Sequence, residues 1–490
     1  MAAPGTAQWS SRFAFIMAAV GSSVGLGNLW RFSAELGTNG GAAFLVVYIA
    51  CILFVGIPVL MSEFMIGRAG QASSAVNSQI DLAQRSEVST RWSAGAWFGM
   101  IASFLIVSFY CVVAAWVLNY LVRFLGNSFQ GLPAKEIAAQ FPAMLENPLN
   151  FENPIRAVWP YFFIFAALTS WLVARGVNAG IETAARLLMP LFFILLVGLS
   201  LYSITSGLKS GGTAQALGFM FTPDFSKITP AVATSALGQA CFSIGIGNAI
   251  MITYGSYLPR SVSIPKAAVT ISIVDTLVAI TAGLAIFPIV FANNLDFSAG
   301  AGIFFQTLPT ALAEYWYIGA AFFFLAFFAA ITSSVSLLEP SVAYVAEKFN
   351  LTKKKAAWLT GAAITTLGLV SLLSPKFFDF IDTGLAGPIL APLSALLLVL
   401  FTGGRLKKAI INKEIEGNEG LGRFIMFFIK WIAPVFMGFV LVVGILQKFV
   451  PAVYSKISSN AGLLGLIILS YVALALFHFL SKEKQGITIQ

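Results

Sequence analysis

Long apolar runs dominate this sequence and indicate that the chain folds in a lipid bilayer rather than in water. Roughly 18 apolar residues suffice to cross a bilayer as a helix. We place about twelve such spans at 12–36, 41–67, 93–125, 157–175, 183–207, 229–258, 265–292, 315–346, 356–373, 377–402, 423–448 and 460–480. Only 10% of the 490 residues are charged, whereas soluble domains carry about 25%. The sequence therefore predicts an all-α integral membrane protein.

The basic side chains fall unevenly on the two sides of these spans. The formal net charge is +9, and most Lys and Arg residues collect on the side that holds the N-terminus. Cytoplasmic loops of membrane proteins are enriched in these residues. We expect a multi-pass protein of the cell (inner) membrane with both termini in the cytoplasm. Its partners are then the lipid bilayer and a solute, with no nucleic acid; an oligomer is compatible with the sequence but not implied by it.

The composition offers little material for an enzyme or a channel. Cys51, Cys111 and Cys241 lie in apolar runs without metal or disulfide spacing, and we interpret them as small buried hydrophobes. The single histidine, His478, lies in the last apolar run. An intramembrane enzyme would need a nucleophile beside a base, which the scattered acidic residues do not provide. A channel would more naturally repeat pore residues around an oligomer. We predict neither.

Glycine interrupts two of the apolar runs in the same pattern. The first span contains VGLGN at 24–28, and the sixth contains IGIGN at 244–248. Glycine costs about 1 kcal/mol relative to alanine in a helix interior. One explanation is close helix packing through Gly21 and Gly25, which form a GxxxG pair. The other is that both helices are broken and expose backbone dipoles to an ion and a solute. Recurrence in the first and sixth spans fits an inverted repeat of five plus five helices.

Ionisable side chains stand inside several spans. Such a group costs several kcal/mol at mid-bilayer unless it faces a cavity or a partner. Asp275 is alone in the seventh span, Glu63 lies late in the second, and Asp382 lies early in the tenth. Arg31 follows the first glycine interruption and needs a counter-ion, for which Asp382 is a candidate. For Asp275 the alternative is a protonated structural aspartate.

Hydroxyl groups form a second polar set in the eighth span, at Thr332, Ser333 and Ser334. Unwound carbonyls together with such hydroxyls suit a hard cation such as sodium. The alternative is that each hydroxyl bonds the carbonyl four residues earlier, which is common in membrane helices. The residues alone leave these two interpretations equal.

At 21–32 the sequence reads GSSVGLGNLWRF, and further motifs follow in order: Asn39-Gly40-Gly41, Glu63, Gln239, ITYGSY at 252–257, Thr332-Ser333-Ser334 and Asp382. Over essentially its whole length the chain resembles the neurotransmitter:sodium symporter family, and within it prokaryotic members similar to the bacterial leucine transporter. The resemblance implies twelve helices, with helices 1 and 6 unwound. It also implies a transport core at 1–402, with repeats at about 10–207 and 226–402, followed by two accessory helices and a cytoplasmic tail at 403–490.

The resemblance further implies a sodium-coupled symporter that imports an amino acid by alternating access around a site near the bilayer midplane. Two sodium ions are expected. The first would be held by the substrate carboxylate together with the Ser23 carbonyl, Asn28, Ser243 and Asp275. The second would be held by the carbonyls of Gly21, Val24 and Ala329 and the hydroxyls of Thr332 and Ser333.

The same resemblance assigns the solute site and the gates. The substrate carboxylate would meet the Leu26 and Gly27 amides and the Tyr110 hydroxyl, and its amine the Ser23 and Phe242 carbonyls. The rest of the pocket would be formed by Gly25, Ile106, Ser243, Gly245, Asn248, Ser333, Ser336 and Leu337. The outer gate would consist of Tyr110, Phe242, Arg31 and Asp382, the last two bridged by water. The inner gate would consist of Trp9, Tyr257 and Glu347.

Five positions depart from the family pattern, and the first two sharpen the prediction. Gly25 stands where monoamine carriers have an aspartate, so the solute must bring its own carboxylate. Asp275 stands where many members have asparagine, close to the place where animal members hold chloride near Tyr48, Gln239 and Ser243. We therefore predict chloride independence.

The other three positions, Asn248, Gly245 and Thr6, leave questions open. Asn248 and Gly245 make the pocket roomier and more polar than one built for leucine, which favours an aromatic, polar or longer amino acid. A GABA-like or taurine-like solute is the alternative. Thr6 stands where the family places the arginine that pairs with Glu347, so either another cation serves or the inner gate is weaker.

Overall fold

The computed structural model describes residues 8–70, 72–153, 155–295, 302–452 and 454. In these ranges the chain is built of helices and has no β-strand. The predicted membrane spans correspond to Arg12–Ser23 with Gly27–Thr38, Ala42–Gly70, Thr90–Leu125, Trp159–Ala174, Val177–Leu208, Pro230–Ile244 with Ile250–Ser256, Ile264–Ala292, Trp316–Lys348, Lys353–Leu373, Pro375–Gly404 and Glu419–Phe449. The predicted twelfth span at 460–480 and His478 lie outside the described residues.

Two of these spans are broken, and both breaks fall on the glycine-rich segments. The first span bends by 53° between Arg12–Ser23 and Gly27–Thr38. The sixth ends at Ile244 and resumes at Ile250. In between, Gly245 and Gly247 have φ values of 71° and 76°, which glycine adopts readily because it has no Cβ. The predicted interruptions are thus present, and they free backbone amides and carbonyls from helical hydrogen bonds.

Several spans contain a turn of π-helix, including Gly27–Arg31 directly after the first break and Asp382–Leu390 in the tenth span. A π-helical turn is rare and is found mostly at functional sites. These two turns carry Arg31 and Asp382, the charged residues predicted for the outer gate. The backbone is therefore irregular at the position of both.

Two helical segments outside the spans pack over one end of the bundle. Ala134–Glu146 follows the third span, and Ile303–Leu312 precedes the eighth. The rings of Phe141 and Phe305 stack with centroids 4.8 Å apart, and the Tyr120 hydroxyl donates to the Phe305 carbonyl at 2.8 Å. The predicted orientation would place this end outside the cell.

At the opposite end a buried ion pair joins the accessory region to the core. The Nε of Arg68, in the second span, lies 2.6 Å from the Oε2 of Glu414 in the short helix Lys408–Glu414. Arg260, after the sixth span, pairs with the same carboxylate. Because Arg68 and Glu414 are both buried, breaking this pair would leave an uncompensated charge, which is strongly destabilising. The loop before the eleventh span is therefore fixed to the core.

The second span and the second half of the sixth pack backbone against backbone at Gly67. A Cβ placed on Gly67 would lie 2.0 Å from the Ile252 carbonyl oxygen and 2.8 Å from the Ser256 amide nitrogen. Only glycine allows this approach, so the helices must separate to admit any larger residue.

We expect Gly67→Ala to lower the stability of the protein in detergent by at least about 2 kcal/mol, as overpacking does. Gly218→Ala is the matched control, since Gly218 also lies in a helix and a Cβ there has no heavy atom within 4 Å. This control should be neutral or stabilising by up to about 1 kcal/mol. Thermal unfolding followed by fluorescence-detected gel filtration measures both, and equal melting temperatures would contradict the packing described here.

Candidate functional site

The structure brings Asn28, Ser243 and Asp275 together beside the two breaks. The Asn28 Nδ2 donates to Asp275 Oδ1 at 2.8 Å and to Ser243 Oγ at 2.9 Å. The Ser243 hydroxyl donates to Asp275 Oδ2 at 2.7 Å, and the Tyr48 hydroxyl lies 3.1 Å from Ser243 Oγ. We refer to Asn28, Ser243 and Asp275 as the carboxylate cluster. It unites three of the side chains predicted to bind the first sodium ion.

The carboxyl group of the carboxylate cluster has no protein cation beside it among the described residues. Asp275 is completely buried, and among the described residues it makes no ion pair with a basic side chain. A buried carboxylate costs several kcal/mol unless it is paired or coordinates a cation. Its hydrogen-bond donors are neutral, and one carboxylate among hydroxyl, amide and carbonyl oxygens suits a monovalent hard cation. This donor set therefore fits sodium.

A second set of oxygens lies where the eighth span meets the first break. The Ser333 Oγ lies 3.4 Å from the Gly21 carbonyl oxygen, 3.3 Å from that of Ser22 and 3.5 Å from that of Val24. Three carbonyl groups thus converge on a single hydroxyl. We refer to Gly21, Val24, Ala329, Thr332 and Ser333 as the hydroxyl cluster.

The two hydroxyls of that cluster behave differently, which bears on the alternatives left open by the sequence. Thr332 Oγ1 donates to the carbonyls of Phe328 at 2.9 Å and Ala329 at 3.2 Å, so it does bond back along its own helix. Ser333 Oγ instead faces the first span. Thr332 thus contacts the Ala329 carbonyl, whereas Ser333 contacts the Gly21 carbonyl. Neutral oxygens of this kind also suit sodium.

A cavity of about 580 Å³ opens beside the two breaks. Of the residues predicted for the solute site, those that line it are Leu26, Gly27, Ile106, Tyr110, Phe242 and Asn248. The Leu26 amide nitrogen and the Tyr110 hydroxyl oxygen lie 3.4 Å apart, so two groups predicted to hold a substrate carboxylate are adjacent.

The other predicted solute-site residues do not line this cavity. They are Ser23, Gly25, Ser243, Gly245, Ser333, Ser336 and Leu337. A Cβ on Gly25 would lie 2.6 Å from Ser333 Oγ and 3.3 Å from the Tyr110 hydroxyl, so only glycine fits between these groups. The Ser336 Oγ lies 2.7 Å from the Tyr254 hydroxyl. Gly25, Ser333 and Ser336 are thus in contact with neighbouring protein groups.

Asn248 contributes the polar group whose hydrogen bonding is least complete in the cavity wall. Its Nδ2 donates to the Gly245 carbonyl at 3.3 Å, while its Oδ1 is buried and has no hydrogen-bond partner among the described residues. Leaving a buried acceptor unpaired costs about 1–3 kcal/mol. The amide therefore disfavours a purely apolar neighbour.

The predicted outer-gate residues all line the cavity. The guanidinium of Arg31 lies over the Phe242 ring, 4.4 Å from its centroid. Among the described residues, the ion pair that Arg31 makes is with Glu35, at 3.9 Å. Asp382 lines the same cavity, so the predicted water bridge from Arg31 to Asp382 stays a prediction. The Arg31 side chain is 40% exposed, and this end of the pathway is accessible.

The opposite end of the pathway is closed. Trp9 is only 3% exposed; its Nε1 donates to the Tyr254 carbonyl at 3.0 Å, and its ring packs against Tyr257. The Tyr257 hydroxyl donates to Glu339 Oε1 at 2.8 Å, and Lys353 pairs with the same oxygen atom. The structure is therefore open at the Arg31 end of the pathway and shut at the Trp9 end.

Glu347, the acid predicted for the inner gate, has a different partner. Its Oε2 accepts a hydrogen bond from the Ser74 amide at 2.9 Å. The acid that contacts Tyr257 is Glu339, which sequence reasoning missed. A signal was present, because Glu339 is an ionisable residue inside the apolar eighth span, as Asp275 is in the seventh. No role was predicted for Glu63. Its Oε1 accepts a hydrogen bond from the Gly247 amide at 2.6 Å.

Two broken helices that meet at a buried carboxylate, beside a cavity accessible from one side, define a secondary transporter of the leucine-transporter fold. The model of the sodium:neurotransmitter symporter family matches residues 6–142 and 150–483. The chain belongs to this sodium-dependent transporter family. It is not an enzyme.

Individual relatives support the same assignment. The chain is 34% identical over 439 residues to an uncharacterized sodium-dependent transporter of Bacillus subtilis (strain 168), YhdH, covering 86% of this chain and 93% of that protein. It is 27% identical over 421 residues to the sodium-dependent nutrient amino acid transporter 1 of Drosophila grimshawi, covering 74% of this chain and 64% of that protein. The crystal structure of MhsT in complex with L-phenylalanine aligns with a TM-score of 0.80 and 38% identity, covering 89% of this chain and 99% of MhsT.

We expect Tyr110→Phe to weaken solute binding about 10- to 100-fold, because a hydrogen bond to a charged group contributes about 1.5–3 kcal/mol. Tyr120→Phe is the control: it lies on the same span, but its hydroxyl bonds the Phe305 carbonyl. Binding of a labelled amino acid to purified protein in sodium measures both variants. Equal affinities in the two would show that the Tyr110 hydroxyl does not hold the solute.

Proposed function

We propose that this protein imports an amino acid together with sodium by alternating access and without chloride. The observation that carries the proposal is the buried Asp275 carboxylate, which has neutral hydrogen-bond donors and lies at the meeting point of the two broken helices. A cation bound at such a site would stabilise the buried carboxylate. Family membership supplies sodium as that cation.

Coupling between the ion and the solute follows from their proposed contacts. The carboxylate cluster lies on the Asn28 side of the first break, and the Asn28 Oδ1 accepts from the Gly25 amide at 3.1 Å. The cavity begins at Leu26 and Gly27. A solute carboxylate bound at these amides would complete the ligands of the first sodium ion. The sodium ion and the solute carboxylate would then stabilise each other, and neither ligand would bind as tightly alone.

The hydroxyl cluster supports a second sodium ion. It joins the first span to the eighth through carbonyl and hydroxyl oxygens, and it carries no formal charge. A cation there would hold the two helices together in the conformation described above. Two ions would add electrical driving force to import when the cell interior is negative.

Chloride independence rests on the position of Asp275. The Tyr48 and Ser243 hydroxyls, which lie where animal members of the family hold chloride, hydrogen-bond to each other, and Ser243 donates on to Asp275. A permanent carboxylate supplies the negative charge that chloride would bring. A second anion next to it would be repelled.

The solute we propose is an α-amino acid with an aromatic, polar or long side chain. The cavity has a volume of about 580 Å³, and the polar side chain of Asn248 lines it. MhsT, which shares 38% of its sequence with this chain, is named in complex with L-phenylalanine. A GABA-like or taurine-like solute would place its amine further from its acid, and uptake of such a solute is a separate outcome of the test below.

Uptake into proteoliposomes tests the proposal directly. Purified protein is reconstituted, an inward sodium gradient is imposed, and radiolabelled amino acids, GABA and taurine are compared in chloride and in gluconate. We expect concentrative uptake of an α-amino acid that disappears in potassium and is unchanged in gluconate. Uptake that is indifferent to sodium, or no uptake of any of these solutes, would refute the proposal.

We expect Asp275→Asn to abolish uptake in gluconate by removing the charge that balances sodium, and uptake either stays absent or returns only when chloride is added. Asp81→Asn is the control, since Asp81 is half-exposed and pairs with Arg85 in a short helix outside the spans. Initial uptake rates of both variants in chloride and in gluconate measure the effect. Normal chloride-free uptake by the Asp275 variant would defeat the mechanism.

We expect Asn248→Leu to favour apolar solutes, because it removes an acceptor that such solutes leave unpaired. The ratio of apparent affinities for leucine over glutamine should rise at least about fivefold, corresponding to about 1 kcal/mol or more. Competition against a labelled substrate measures this ratio. The apparent sodium affinity serves as an internal control and should not change, and an unchanged ratio would mean that Asn248 does not contact the solute side chain.

A further inference from the structure

The stretch before the first span is fastened at three consecutive residues. The Gln8 carbonyl accepts from the Asn178 side-chain amide at 2.9 Å. The Trp9 amide donates to the Tyr257 carbonyl at 3.2 Å. Ser10 donates both its amide, at 3.1 Å, and its hydroxyl to the carboxylate of Glu182. The stretch therefore bridges the start of the fifth span and the end of the sixth.

Glu182 is the charged centre of these contacts. It is only 3% exposed and ends the π-helical turn Val177–Glu182. Besides Ser10, its carboxylate accepts from Asn178 Nδ2 at 3.2 Å and Arg186 Nη1 at 3.3 Å. Hydrogen bonds to an ionised acceptor are roughly twice as strong as neutral ones. The contact between Ser10 and Glu182 is therefore the strongest polar contact among those that hold residues 8–10.

The fifth span also contacts the hydroxyl cluster. A Cβ on Gly21 would lie 3.0 Å from the Met189 sulfur and 3.3 Å from Thr332 Cβ, so the first, fifth and eighth spans meet closely at this point. Met189 and Glu182 belong to the same continuous segment, Val177–Leu208. The first span thus packs on the fifth at the proposed second sodium site and is tied to it again at Glu182.

We propose that Glu182 is the positioning residue that keeps the cytoplasmic end of the pathway shut. In the family an arginine contributes to this task, and this chain has Thr6 in its place. The inference rests on the function proposed above. Inward opening must withdraw residues 8–10 from the fifth span. Sodium binds oxygens that are assembled in the inward-closed state, so loosening this contact reduces the binding-competent fraction and weakens the apparent sodium affinity by the same factor.

Charge removal at Glu182 tests the inference. We expect Glu182→Gln to weaken the apparent sodium affinity about 3- to 10-fold, with Glu182→Asp restoring part of it because the charge returns. Ser10→Ala should give a smaller shift in the same direction, and the double variant should match Glu182→Gln alone. Glu87→Gln is the control; Glu87 is an exposed acid paired with Lys407, and this variant should bind sodium normally.

Hydrogen–deuterium exchange gives the second readout. In Glu182→Gln, amides at 8–16 and 250–258 should exchange faster, amides at 134–146 should not, and saturating sodium should suppress the difference. An unchanged sodium affinity, or faster exchange in all three segments alike, would overturn the inference. If the wild-type protein binds no sodium, the proposed function fails, whereas the exchange pattern still decides whether Glu182 holds the stretch.

Discussion

The structure depends on one constraint: backbone groups inside a membrane must find partners within the protein, because lipid offers none. Each break in a helix frees such groups, and at each break a side chain from another span bonds the backbone. Glu63 accepts from the Gly247 amide, and Gln239 donates to the Gly27 carbonyl. The breaks are therefore held by the same neighbours that surround the site.

This constraint also explains the chemistry of the site. Carbonyl and amide groups released from helical hydrogen bonds are the ligands that a sodium ion and an amino acid require. The protein adds a single full charge, Asp275, at the centre. Everything else in the two oxygen clusters is neutral. In the proposed mechanism, dipoles would supply most of the contacts to the ion and the solute.

The sequence was a good guide to the spans and the breaks, and a poorer one to contacts at the inner end. The predicted seventh span, 265–292, agrees with Ile264–Ala292 because the length of an apolar run sets the length of a span. Glycine marked both breaks, and family motifs named the residues that meet there.

What could not be predicted are partners brought together only by folding. Ser10 and Glu182 are 172 residues apart, and Tyr257 and Glu339 are 82 apart. No local pattern encodes such pairs. Glu339 is recognisable in the sequence as an acid in an apolar run, but nothing in the sequence indicates that Tyr257 is its partner. The resemblance pointed instead to Glu347, whose carboxylate caps the Ser74 amide.

The outer cavity has one wall that the proposed repeats do not provide. Met437, Val440 and Val443, all from the eleventh span, line it together with Phe242 and Tyr110. Within the described residues the eleventh span follows both predicted repeats, so inverting the repeats does not generate a matching wall on the inside. The outward- and inward-facing mouths of this carrier must then differ in shape. An inhibitor that fits the outer mouth would therefore act from one side of the membrane only. The eleventh span would then contribute to inhibitor selectivity as well as to stability.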